Sequence, residues 1–267
     1  MKDKRVLCVS SEVVPYLPET EMSKRAFDAA RMVHGKGGQT RIFMPRFGVI
    51  NERRHQLHEV IRLSGMNMII NDMDMPLIIK VASIPKERMQ VYFIDNDEYF
   101  KRKATIADAN GELFDDNDER MIFFVKGVVE TVKKLNWAPD IIHVHGWMAS
   151  LLPIYLKEHY KDDALFSNSK IVTSLYNNGF SGSLNTELKE KVNFDNIENL
   201  DTITEPNHTN LLKIAIENSD AIIVGSEDLS EDLIDYAKSL NKPVLDFQAP
   251  DEFAEAYLNF YQSEVLQ

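Results

Sequence analysis

RVLCVSSEVVPYLPETEMSKR, residues 5–25, decides how the chain is read. RVLCVS (5–10) has the composition of a buried strand, and residues 22–36, closing near Gly35, have that of a helix. A strand, a turn and a helix in that order open a parallel α/β sheet, and the turn at the strand's carboxyl end is where such folds hold anions. Turns of that kind carry glycine, because only bare backbone comes close to a phosphate. This one carries Pro18, Glu19, Thr20 and Glu21 instead. Proline has no N–H to offer, and a carboxylate facing a diphosphate repels it. The turn therefore reads as a degenerate phosphate site, with Glu19 and Glu21 placed at a helix start, where negative charge suits the macrodipole.

Outward from this unit, short β-branched runs keep alternating with helical patterns. QTRIFMP (39–45) is a second strand. HEVIRL (58–63), PLIIKVASI (76–84) and MQVYFID (89–95) follow without a helix-length gap, which predicts a β-hairpin excursion at a sheet edge. The methionines at 66, 68, 73 and 75 read as an edge packing surface. Apolar spacing from Asp116 to Leu135 predicts a helix, APDIIHVH (138–145) a strand, 147–160 a helix and KIVTSLY (170–176) a strand. A polar connection (177–206) precedes a helix at 208–218, a strand at 221–226, a helix at 228–240 and a short strand at 243–247. A closing amphipathic helix at 250–265 presents Phe253, Tyr257, Phe260 and Tyr261 on one face. The pattern predicts one α/β domain over 1–267, a Rossmann-like, doubly wound and mostly parallel sheet whose ligands sit at the carboxyl ends of the strands.

Charge narrows the partners. A net charge of −12 argues against duplex nucleic acid and anionic membrane surfaces, while a neutral polysaccharide stays compatible. The single cysteine, Cys8, lies in the first apolar run and has no partner for an intrachain disulfide. With no apolar run long enough to span a bilayer, the expectation is a cytoplasmic protein.

Six stretches, in order, carry a family resemblance. Ser11, Glu12 and Pro15 match a motif S-x-E-x-x-P-x-x-K-T-G-G-L; FMPRFG (43–48) and VYFIDNDEYF (91–100) match two strand ends. Asp116, Asn117 and Arg120 match D-N-x-x-R-F, NWAPDIIHVHGWMASLLPIYLK (136–157) follows W-x-P-D-I-I-H-x-H-D-W-H-T, and KIVTSLYNNGFSG (170–182) corresponds to T-I-H-N-x-x-Y-Q-G. Together they resemble the N-terminal, starch synthase catalytic domain of bacterial glycogen synthases and plant starch synthases. That resemblance implies one Rossmann-like half of a GT-B glycosyltransferase. It further implies retaining transfer of glucose from ADP-glucose to an α-1,4-glucan, with no metal or redox cofactor. His145 becomes the candidate catalytic residue, and Tyr99, Asp116, Asn117 and Asn177 become candidate sugar-side contacts.

The departures are as informative as the matches. The motif's lysine falls at Pro18 and its glycine pair at Thr20 and Glu21; its aspartate after the second histidine is Gly146; Tyr176 stands where it has a histidine. The second half that supplies the nucleotide pocket is not in these residues, so donor binding would call for a second glycosyltransferase subunit. The closing helix is expected to cover the surface that such a half's last helix covers. Two readings follow: a glycogen synthase-like enzyme inactive or weakly active alone, and a non-catalytic module that binds glucan or docks on a partner. His143 reads as a packing histidine. Asp115, Asp116, Asp118 and Glu119 read as a helix start rather than a metal loop, and GKGGQT (35–40) as a helix stop.

Overall fold

The computed structural model describes residues 1–84 and 86–267. Its centre is β1 (Arg5–Ser10), whose burial on both faces matches its unbroken apolar run. α1 (Glu21–Gly35) crosses to β2 (Gln39–Pro45), paired parallel to β1. α2 (Glu52–His55), β3 (His58–Glu59), β4 (Met66–Ile70), β5 (Met73–Ile84) and β6 (Met89–Asp95) form the excursion. β6 is parallel to β2, and β5 runs antiparallel to β6, β3 and β4. After α3 (Asp97–Phe100) and α4 (Asn117–Lys134) the chain returns to the other side of β1 as β7 (Ile141–His145). α5 (Leu152–Lys157), β8 (Lys170–Leu175), α6 (Leu188–Asn193), α7 (His208–Asn218), β9 (Ala221–Val224), α8 (Glu231–Ser239) and β10 (Val244–Leu245) extend the sheet outward. α9 (Phe253–Phe260) and a π-helical turn (Tyr261–Val265) then come back to pack on α1. The strand order is β10-β9-β8-β7-β1-β2-β6-β5-β3, with β4 beside β5. It is a mostly parallel α/β sheet with helices on both faces.

Three expectations change. The strand expected over 58–63 ends at Glu59, because Val60–Leu63 close into a turn through Leu63 N–H to Val60 O (2.9 Å). The methionine cluster is a hairpin: Met68 faces Met75, both buried, and Asn71 and Asp72 turn at φ 45° and 65°. Two positive φ values are what a two-residue type I′ loop requires. The helix expected over 147–160 is a 3-10 turn (Trp147–Ala149) followed by the shorter α5, which carries Pro153 in its first turn. Phe253, Tyr257, Phe260 and Tyr261 are all buried, as the amphipathic pattern predicts.

Candidate functional site

Because β2 leaves β1 on one side and β7 lies on the other, the sheet reverses its winding between β1 and β7. In such folds the crevice outside that switch point is the ligand site. Here it opens between Ser10 and His145, which are register partners. It is filled. Gly146, at φ 72°, leaves room for the Met22 sulfur, which lies 2.5 Å from where a β-carbon would stand. The Asn178 amide donates to that sulfur at 3.3 Å.

His145, the neighbour of Gly146 in sequence, is fully buried. Its Nδ1 pairs with the Tyr176 hydroxyl at 2.9 Å and its Nε2 has no partner among the described residues. Burial pushes it down to about 3, so it is neutral. His143, two residues earlier, shares its face: the rings are 3.8 Å apart. His143 is also fully buried, between the hydroxyls of Ser174 (2.7 Å) and Tyr261 (2.6 Å), which bears out its reading as a packing residue. Cys8, the register partner of His143, completes a trio whose ligand atoms lie within 4.8 Å. The trio does not fit a metal. Both His143 nitrogens are engaged, and burial pushes the Cys8 thiol up to about 12, away from the thiolate a metal needs.

The turn at 18–21 is satisfied from within. Thr20 caps α1, accepting from Ser23 N–H at 3.0 Å while the Ser23 hydroxyl accepts from Thr20 N–H at 2.8 Å. The Thr20 hydroxyl donates to Glu12 at 2.6 Å. Glu21 accepts from Arg25 at 3.2 Å and from the Ser226 hydroxyl at 2.7 Å. Pro18 and Glu19 are exposed. The helix start is thus occupied by its own side chains, with carboxylates on both sides.

Beside that turn lies an open groove of about 470 Å³. It is lined by Glu12, Leu17, Pro18, Thr20, Val49 and a wall made of residues 104–107. Its surface is mostly apolar with a few hydroxyl and carboxylate groups, which suits a ligand with apolar faces and hydroxyl edges. Four residues marked by the sequence motifs lie behind the wall rather than lining it, and two of them, Asn117 and Arg120, mount it. The Asn117 side chain, fully buried, donates to Ile106 O at 2.8 Å and accepts from Arg120 at 2.5 Å. Arg120 donates on to Thr105 O at 2.7 Å, with the rings of Phe47 and Phe100 within 5.5 Å of its guanidinium. Asp116 takes Arg102, which also donates to Tyr99 O. Tyr99, buried, donates to Glu119 at 2.9 Å. Gly48 lets the wall pass, since a β-carbon there would sit 2.3 Å from Lys101 O.

Asn177 stands apart from the groove, exposed, its amide donating to Asp228 at 2.9 Å and its N–H to Ser226 at 3.2 Å. The acidic run at the start of α4 does more than decorate it. Asp118 is fully buried against Lys191 at 2.7 Å, and Glu119 takes the same ammonium at 2.9 Å. Lys191 belongs to α6, inside what reads in sequence as a polar connection; the Leu188–Val192 pair was the signal for that helix. The groove wall itself, ATIA (104–107), carries no motif and could be found only in three dimensions.

Comparison with known proteins places this architecture. Residues 5–242 match the family described as the starch synthase catalytic domain. The glycogen synthase of Chlorobium luteolum is 34% identical over 227 residues, 85% of this chain and 46% of that protein. That of Chlorobaculum tepidum is 33% identical over 233 residues, 86% of this chain and 47% of that protein. The chain spans about half the length of these curated relatives. In three dimensions it is similar to the catalytic domain of starch synthase IV from Arabidopsis thaliana, bound to ADP and acarbose, with a TM-score of 0.71 at 16% identity; the match covers 92% of this chain and 51% of that one. A switch-point sheet of this order, the ordered motifs along it and a match from the first strand to the far edge lead to one conclusion: the chain belongs to the starch synthase catalytic domain family.

Proposed function

We propose that this chain is an α-glucan-binding member of its family, holding glucan in the groove between residues 17–20 and 104–107, and that it does not bind ADP-glucose on its own. The observation that carries this reading is the start of α1, where Thr20 and Ser23 cap each other, Glu21 takes Arg25, and the carboxylates of Glu12 and Glu21 stand where an anion would have to approach the helix. A glucan is neutral, so Glu12, which lines the groove, becomes a hydroxyl acceptor rather than a repelling charge. Full burial of His145, with its Nδ1 paired to the Tyr176 hydroxyl, supports the silent reading as well.

Calorimetric titration with maltoheptaose and, separately, ADP-glucose tests it. Maltoheptaose binding that Val49→Asp abolishes, with no heat from ADP-glucose, is the expected result. Saturable ADP-glucose binding weakened by changes at 18–23 overturns it. The alternative is glucosyl transfer from ADP-glucose, with nucleotide contacts supplied by a second glycosyltransferase subunit. Family membership is the support for that alternative, and ADP-glucose binding would favour it.

A further inference from the structure

The segment after β10 is pinned at two points. Near its start, the Arg25 guanidinium of α1 lies 4.8 Å from the Phe247 ring and 5.0 Å from that of Phe253, and donates to Gln248 O at 2.8 Å. Near its end, the Tyr261 hydroxyl meets His143 Nδ1, with the Tyr257 ring 6.0 Å from the same imidazole. Between these points the segment roofs a polar seam unusual for the interior of a sheet: Cys8, His143, His145 and Ser174, all fully buried.

We propose that residues 246–266 form an acid-labile strap, held down while His143 and His145 are neutral and lifted when they take up protons. The geometry gives the reason. β1 presents the Cys8 thiol to this seam, β8 presents Ser174, and the segment beyond β8 presents Tyr176. The strap presents Tyr257 and Tyr261. The charges α1 brings near the tyrosines, Arg25 and Glu21, pair with each other at 3.2 Å. Among the described residues no carboxylate is therefore left to accompany an imidazolium, and the second ring 3.8 Å away makes charging both worse. With the strap lifted, water reaches both rings and either can charge. Burial holds both well below the usual histidine range in the docked state, in agreement with the geometry. The sign follows: docking is at full strength above the ordinary histidine value and weakens as pH falls below it. Each histidine contributes up to about tenfold per pH unit to the opening equilibrium, and the pair up to about a hundredfold.

The chain carries its own reporter. Cys8 is the single cysteine, fully buried within the seam and close to Tyr261. Its labelling by a dipyridyl disulfide, normalised to a free cysteine peptide at the same pH, measures strap opening. Between about pH 6.5 and pH 5.5 the normalised rate is expected to rise about fivefold if one histidine charges and up to about thirtyfold if both do. Amide exchange in β2 and α4 should stay slow over the same range. His143→Gln should reduce the pH slope. Tyr261→Phe should raise labelling at every pH while keeping the slope, which separates the tyrosine anchor from the titrating groups if the His143 variant folds poorly. A flat profile overturns the proposal, as does Cys8 exposure that rises only in step with exchange of the whole sheet.

Discussion

Met22 occupies the space that a side chain on residue 146 would claim: its sulfur lies 2.5 Å from the position of a β-carbon at Gly146. The backbone there, φ 72° and ψ 179°, is a region held almost only by glycine. Gly146→Ala is expected to lose about 1–3 kcal/mol of stability, measured by urea denaturation. Most of the loss should persist when Met22→Ala is added, because a methionine sulfur can move and the backbone cannot. Full recovery in the double variant would show that the sulfur contact, not the dihedral, sets the cost.

The far wall of the groove hangs from Asn117 and Arg120. Asn117→Ala removes the donor to Ile106 O and one acceptor for a fully buried guanidinium, at an expected cost of about 2–3 kcal/mol. Amide exchange across 104–107 should quicken while β1 and β7 keep their protection, and maltoheptaose affinity should fall with it. Unchanged exchange in 104–107 would mean that the wall stands without its brace.

Lys191 neutralises a fully buried Asp118 and a partly buried Glu119. Removing one side of such a pair strands a charge, so Lys191→Met is expected to lose about 3–5 kcal/mol. Pairing it with Asp118→Asn should return part of that loss. Thermal or denaturant unfolding of the four proteins of this cycle reads the coupling directly.

Burial holds His145 neutral down to about 3, against an ordinary value of 6.5. The unfolded chain takes up that proton below the ordinary value while the folded chain does not, so stability is full above it and is lost as pH falls towards 3. The slope is about 1.4 kcal/mol per pH unit for one such histidine. His145→Gln should flatten the profile of unfolding free energy by about that much between roughly pH 6 and pH 4. An unchanged slope would mean that His145 protonates in the folded chain.

The sheet was readable because burial on both faces leaves strands such as RVLCVS and IIHVH dominated by β-branched and other apolar residues, and because apolar spacing marks α1, α4 and α7. The hairpin at 66–77 escaped notice because its turn, Asn71–Asp72, lies among methionines that favour no one structure. Site residues were less legible, for a geometric reason. Motif spacing locates Tyr99, Asp116 and Asn117 at the right end of the sheet, but only coordinates show that Asp116 and Asn117 hold Arg102 and Ile106 O, and that Tyr99 turns to Glu119, rather than entering the groove. Arg25 gave no signal at all, since its partners Phe247, Gln248 and Phe253 lie more than two hundred residues away in sequence.

Separation of mounting from lining has a practical consequence. Side chains at 104, 105 and 107 hang from a backbone gripped at two carbonyls, Thr105 O and Ile106 O, so their identity is free of the bonds that hold them in place. A combinatorial library randomised at those three positions, with Asn117 and Arg120 untouched, should therefore yield folded proteins that differ in what the groove accepts.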